Sequence, residues 1–423
     1  MLAVQGDQTL LGNVRVLDLT GEIGFLAGKV LADMGADVVK IEPRGGDPSR
    51  RHGPFYGNVV DPNYSLGWWA QNANKRGVTV DLTTVTGREI FLQLVQGADI
   101  LIESSGPRAM GELGLSYAEL SALRPELIYA SVTAYGGEGP HSDFVATDLN
   151  IQGMGTHMYL TGDSDRPPVR VGIPVGYYHA GVEAAAAITI ALYHRSRSGV
   201  GQAIDVSSQE CIIWTLLNTT MTWQMVAREE QRGGAVRKER AATIETRLVW
   251  ECRDGLVHFV PIGGGGGASR VKSWHTFVQW MESEGFGDPI LLAKDWNGKD
   301  MYGITQGEYD ALSLQVGKFL MTKGMSELYE RALNDQLLLA PIAGIPDVVH
   351  SPQLAARDFF VDVWHPELDT HVKYPGPFAK LSATPLSVRR RAPLIGEHNV
   401  EIFSDELGFS REKLELLAEA GVI

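Results

Sequence analysis

The densest acid–base chemistry in this sequence falls between Gly172 and Glu183, where Tyr177, Tyr178, His179 and Glu183 crowd one segment. A phenol has a pKa of about 10, so Tyr177 is protonated at neutral pH and is a poor nucleophile. Desolvation would make its phenolate rarer still. His179 and Tyr178 can face a substrate or serve as packing. Glu183 comes six residues after Tyr177, which in a helix is well over one turn away and on a different face. Asp148 reads as a helix N-cap, and Asp163 and Asp165 as solvated loop residues. Elsewhere, the run Gly263–Gly267 permits unusual dihedrals and offers amides to an anion or a carbonyl.

These groups need a scaffold, and the hydrophobic pattern supplies one. Residues 14–42 read as strand, turn, helix and strand: Val14–Leu19 alternates, Phe25–Met34 has helical spacing, and Asp37–Ile41 is apolar. Two further units follow, around Val78–Ile102 and Tyr117–Val132. Successive βαβ units predict an α/β fold with a parallel, doubly wound sheet. Residues 147–195 read as helical, and Ala203–Val206 as a strand. The texture changes near 226, with short strands at Thr246–Cys252 and Leu256–Ile262 and tryptophan-bearing helices. The expected organisation is a large Rossmann-like domain at 1–225, a smaller α+β domain at 226–345, and a segment at 346–423 that returns to the large domain.

Bulk composition excludes several functions. A chain of 423 residues with net charge -14 has no bias toward nucleic acid or an anionic membrane. Cys211 and Cys252 are too few for a disulfide framework or a zinc site and read as core residues. No signal peptide is read at the N-terminus, and the apolar stretch at 181–192 is too short to span a bilayer, so a cytoplasmic protein is expected. The first βα turn, Thr20-Gly21-Glu22-Ile23-Gly24, lacks the glycine fingerprint of a nicotinamide dehydrogenase.

Five segments, in order, carry a family resemblance. They are VRVLDLT…ADMGADVVKIEPRGGDPSR (14–50), NANKRGVTVDL (72–82), ADILIESSGPRAMGELGLSYAEL (98–120), ALYHRSRSGVGQAIDVSSQE (191–210) and RAPLIGEH (391–398). Together they resemble the family III CoA-transferases, of the formyl-CoA transferase and CaiB/BaiF type. The resemblance implies a coenzyme A thioester as substrate, no permanently bound cofactor, no metal, and an interlocked dimer with sites at the subunit interface. It also implies covalent catalysis: an aspartate attacks the acyl-CoA thioester to give a mixed anhydride and CoA thiolate. The thiolate then attacks the aspartyl carbonyl, and the enzyme carries CoA until the acceptor acid takes it.

In that register, with Gly172 and Gly181 aligned, Tyr177 stands at the aspartate's place. The resemblance implies phosphate or nucleotide contacts at Arg44, which sits one place beyond the family's arginine, and at Lys75 and Arg76. The residues alone allow Lys75 and Arg76 to be a solvated strand entry instead. Glu112 stands where relatives carry an arginine near the adenine, with Arg108 as a possible substitute. Gly264 and Gly265 echo a loop that closes over the neighbouring subunit's site. The leading expectation is therefore a non-catalytic subunit whose paralogous partner keeps the aspartate, as in the two-subunit benzylsuccinate CoA-transferase type. The substrates would be acyl-CoA and carboxylic acids, for example succinyl-CoA with an aromatic or dicarboxylic acid. A homodimeric acyl-CoA racemase or isomerase using Tyr177, His179 or Glu183, and a CoA-thioester-binding pseudoenzyme, remain open.

Overall fold

A computed structural model describes residues 9–238, 244–261, 267–289, 294 and 303–423. The chain divides into two compact units. The first holds residues up to Met158, Arg170–Glu229 and Ala355–Ile423; the second holds Tyr159–Val169 and Glu230–Leu354.

The first unit is built on six strands: β1 (Arg15–Leu19), β2 (Asp37–Glu42), β3 (Arg76–Thr79), β4 (Ile100–Glu103), β5 (Ile128–Thr133) and β6 (Ala203–Ser207). They are all parallel, in the order β3-β2-β1-β4-β5-β6. Helices cover both faces, which is why these strands are apolar at successive positions. Val16, Val38 and Ile100 pack with α1 (Phe25–Asp33) and α2 (Val175–Ser198). Leu17, Val39 and Leu101 pack instead with α3 (Val85–Gln96) and the C-terminal helix α4 (Arg411–Glu419). This is the doubly wound α/β fold that the sequence predicts.

The expected helix over 147–195 is two helices. A short helix, α5 (Asp148–Met154), is separated from α2 by a segment containing Pro167, Pro168 and Pro174, whose rings remove backbone donors. The interruption matters, because it sets Tyr177 in the first turn of α2 rather than mid-helix. A Cβ on Gly181 would lie 2.7 Å from Cβ of Leu26, so glycine there lets α2 approach α1 closely. Gly199, with φ of 72°, ends α2 in the left-handed conformation.

Two sequence motifs serve this architecture directly. Asn74 donates to Asp33 and to the Ser387 carbonyl, and its Oδ1 accepts from the backbone N–H groups of Arg389 and Arg390. Arg391 is buried and pairs with Glu367 and Glu397. His398 accepts from the N–H of Gly77 at 3.1 Å. The Asn-x-x-Lys-Arg segment and the C-terminal signature thus clasp residues some 320 positions apart.

In the second unit, β7 (Gly255–Phe259) is central to a three-stranded antiparallel sheet, between Val249–Cys252 and Leu339–Ile342. Helices α6 (Gly267–Ser283) and α7 (Gln306–Leu320) contribute to an aromatic core of Trp250, Phe259, Trp274, Phe277 and Phe319. The guanidinium of Arg232 donates to the carbonyls of Asp163 and Arg166, tying the Tyr159–Val169 segment into this unit.

Candidate active site

In a doubly wound sheet a ligand crevice opens where the strand order reverses, at the carboxyl ends of the strands. Here that point lies between β1 and β4, and a cavity of about 710 Å³ opens there. Gly21, Glu22 and Ile23 line it after β1; Asp47, Pro48, Ser49 and His52 after β2. Ser104, Ser105, Gly106, Arg108 and Glu112 line it after β4, and Thr133 and Ala134 at the end of β5. Tyr177, from the first turn of α2, completes the wall.

Buried ion pairs hold these turns in place. Asp18, near the end of β1, is wholly buried; its carboxylate accepts from Thr20 and from Lys75 at 2.7 Å. Burial raises the pKa of this carboxyl, but Lys40 and Lys75 outweigh it and bring the value to about 2. Lys40 also donates to the Thr20 carbonyl, so the turn that begins at Gly21 is fixed from beneath. Glu103, at the end of β4, is buried and accepts from the N–H groups of Ser105 and Gly106. The hydroxyl of Ser104 accepts from the N–H of Gly21 at 2.7 Å, joining the two turns across the crevice.

Tyr177 is held from a different direction. The backbone N–H of Asp148 donates to its phenolic oxygen at 3.1 Å. The Asp148 carboxylate is itself committed, accepting from the N–H of Gly176 at 2.8 Å and from the Gln152 side chain. Asp148 therefore caps the positive N-terminal end of α2, not its own helix, whose N-cap is Thr147. Burial raises the Tyr177 pKa above its ordinary value, and the carboxylates of Glu22 and Asp148 add to that against the Asp148 N–H. The phenol stays protonated.

The structure sorts the other sequence-derived candidates. Arg108 lines the cavity, where it pairs with Asp143 at 3.0 Å and lies 3.6 Å from Glu112. Lys75 is neither a phosphate contact nor a solvated strand entry. It is fully buried, and its ammonium donates to Asp18, to the Phe25 carbonyl and to Asn72. All three of its protons are used. Arg76 is likewise buried against Asp37, Glu401 and Glu406, away from the cavity lining. Arg44 is exposed and outside that lining, with its guanidinium over Gly421. His179 is exposed and Glu183 partly buried; neither lines the cavity. Gly264 and Gly265 lie outside the described residues.

Motif reading missed the pair formed by His52 and Glu22, whose Nδ1 and Oε1 stand 2.8 Å apart on the cavity wall. The switch-point rule, applied to the turns after β1 and β2, was the signal that could have found it. Among the described residues no helix is long and apolar enough to cross a membrane, and no cluster of three metal-ligating side chains is present.

Comparison with known proteins agrees with this architecture. The sequence profile of CoA-transferase family III matches residues 11–399. The chain belongs to CoA-transferase family III. A family member, the succinyl-CoA:(R)-benzylsuccinate CoA-transferase subunit BbsE of Thauera aromatica, is 32% identical over 409 residues, covering 97% of both chains. The succinyl-CoA--D-citramalate CoA-transferase of Chloroflexus aurantiacus is 30% identical, with 98% of each chain covered. The crystal structure of a CAIB/BAIF family protein from Brucella suis matches 95% of this chain and 100% of its own, with a TM-score of 0.79 at 28% identity. Members of this family act on CoA thioesters.

Proposed function

We propose that this chain is the non-catalytic subunit of a two-subunit family III CoA-transferase, whose related partner supplies the nucleophilic aspartate. The observation that carries the reading is Tyr177. A protonated phenol, held by the Asp148 N–H, stands on the cavity wall, and in the register set by Gly172 and Gly181 it takes the place of the family's carboxylate. An aryl ester from Tyr177 would not be the mixed anhydride that reaction passes through. Asp148 is no substitute, because both its oxygens are engaged in fixing α2.

A partner is supported by exposed apolar surface. The helix Leu217–Val226 has no buried residue, and Trp214, Met221, Trp223 and Met225 are all exposed, as are Ile190 and Tyr193 on α2. Apolar surface of this kind marks an interface. A second chain of the same fold, interlocked with this one and bearing the aspartate, fits it. The name of the relative from Thauera aromatica also describes a subunit. By that analogy the donor is succinyl-CoA and the acceptor an aromatic or dicarboxylic acid.

Co-expression with a related chain that keeps the aspartate tests this. CoA transfer from succinyl-CoA is expected only from the mixed oligomer, and full activity of this chain alone would overturn the reading. The pair of His52 and Glu22 favours a second reading, proton exchange next to an acyl-CoA carbonyl in a homodimer. That reading predicts loss of the acyl α-proton to deuterated water without a partner chain.

A further inference from the structure

The charge on the cavity wall is the reverse of what a nucleotide needs. Glu22, Asp47, Glu112 and Asp143 face it against a single guanidinium, that of Arg108. Counting those four carboxylates and the one guanidinium, the described lining is formally negative by three charges. Arg108 is itself held between Asp143 and Glu112, so the one cation is already balanced. Of the three other cations that the motifs offered, Lys75 and Arg76 are locked inside the fold and Arg44 is exposed outside the lining. CoA carries several phosphate charges, and carboxylates within a few ångströms repel them.

Tyr177 presents the opposite kind of chemistry. Its oxygen accepts from the Asp148 N–H, and among the described residues no acceptor takes its proton. A half-buried O–H without an acceptor, on a cavity wall, is a donor for a ligand oxygen. Among such negative neighbours an uncharged carbonyl suits it better than a carboxylate.

We propose that this cavity takes the uncharged acyl-pantetheine part of a thioester, held at its carbonyl by Tyr177, and rejects the phosphorylated nucleotide part. This rests on the reading of the chain as non-covalent. The sequence position that usually forms the covalent carrier would then serve as a hydrogen-bond donor, and CoA would be loaded on the partner.

The test is titration calorimetry on the purified full chain with two unreactive ligands. They are the ketone analogue of acetyl-pantetheine, with methylene in place of sulfur, and the corresponding analogue of acetyl-CoA. The pantetheine compound is expected to bind at least as tightly as the CoA compound. Tyr177→Phe is expected to weaken the pantetheine compound about three- to tenfold, the range for one hydrogen bond. Glu112→Gln combined with Asp143→Asn, both at exposed positions, is expected to strengthen the CoA compound about three- to tenfold while leaving the pantetheine compound unchanged. Tighter binding of the CoA compound by tenfold, unchanged binding in Tyr177→Phe, or no binding of the pantetheine compound at millimolar concentration would each overturn the inference. Neither ligand has a C–S bond to break at the carbonyl, so these affinities are independent of transfer. A covalent adduct on this chain from succinyl-CoA would instead defeat the functional reading.

Discussion

The N–H of Asp148 donates to the hydroxyl of Tyr177 at 3.1 Å, while the Asp148 carboxylate accepts from Gly176 one residue before it. One residue thus fixes both the start of α2 and the phenol of Tyr177.

Removing that clasp should cost stability. Asp148→Ala leaves the Gly176 N–H without its acceptor in a buried site, leaves the Gln152 amide only the Ile173 carbonyl, and removes an anion from a helix N-terminus. A loss of about 1–3 kcal/mol is expected. A urea unfolding series reads it as a lowered midpoint, with the starting secondary structure unchanged.

Lys75 and Arg108 should behave in opposite ways. Lys75→Met leaves the buried Asp18 carboxylate with Lys40 at 3.5 Å as its remaining cation. The expected loss is about 3–5 kcal/mol. Arg108→Ala, at an exposed site, should change stability by no more than about 0.5 kcal/mol. Thermal melts of the two variants side by side distinguish an internal brace from a cavity-wall charge.

The Asp18 cluster gives acid unfolding a defined limb. Its carboxyl is depressed from 3.8 to about 2, so its contribution is fully present above the unfolded value and fades as pH falls through the folded one. The stability gap between the native chain and Asp18→Asn should therefore shrink by about 2 kcal/mol between pH 5 and pH 2. Urea midpoints measured across that range check this. A constant gap would place the effect in packing instead of charge.

Salt should act on nucleotide binding with an unusual sign. A basic phosphate site loses affinity as salt rises, whereas a wall carrying Glu22, Asp47, Glu112 and Asp143 repels CoA less once screened. The affinity of this chain for CoA should rise between 50 mM and 500 mM salt, measured by calorimetry at constant pH.

The sheet was legible because its strands and helices are local patterns: Val16-Leu17 and Ile100-Leu101 declare themselves as buried strand within a few residues. The roles of Lys75 and Arg76 were not legible, because motif spacing says nothing of burial. Arg76 is enclosed by Glu401 and Glu406, some 325 residues later. The acidic wall was only partly legible: Glu112 stood out, but Glu22, Asp47 and Asp143 come from three separate loops that only the strand order brings together. The helix break before Pro174 was missed because the alanine-rich pattern after it dominated the segment.

Intact-mass spectrometry reads directly whether this chain ever carries substrate covalently. The purified chain is incubated with succinyl-CoA and hydroxylamine, alone and with a co-expressed related chain that keeps the aspartate. An unmodified mass is expected for this chain in both samples, with a CoA or hydroxamate adduct on the partner. A CoA or hydroxamate adduct on this chain would contradict that expectation, and peptide mapping would then name the carboxylate that had taken over.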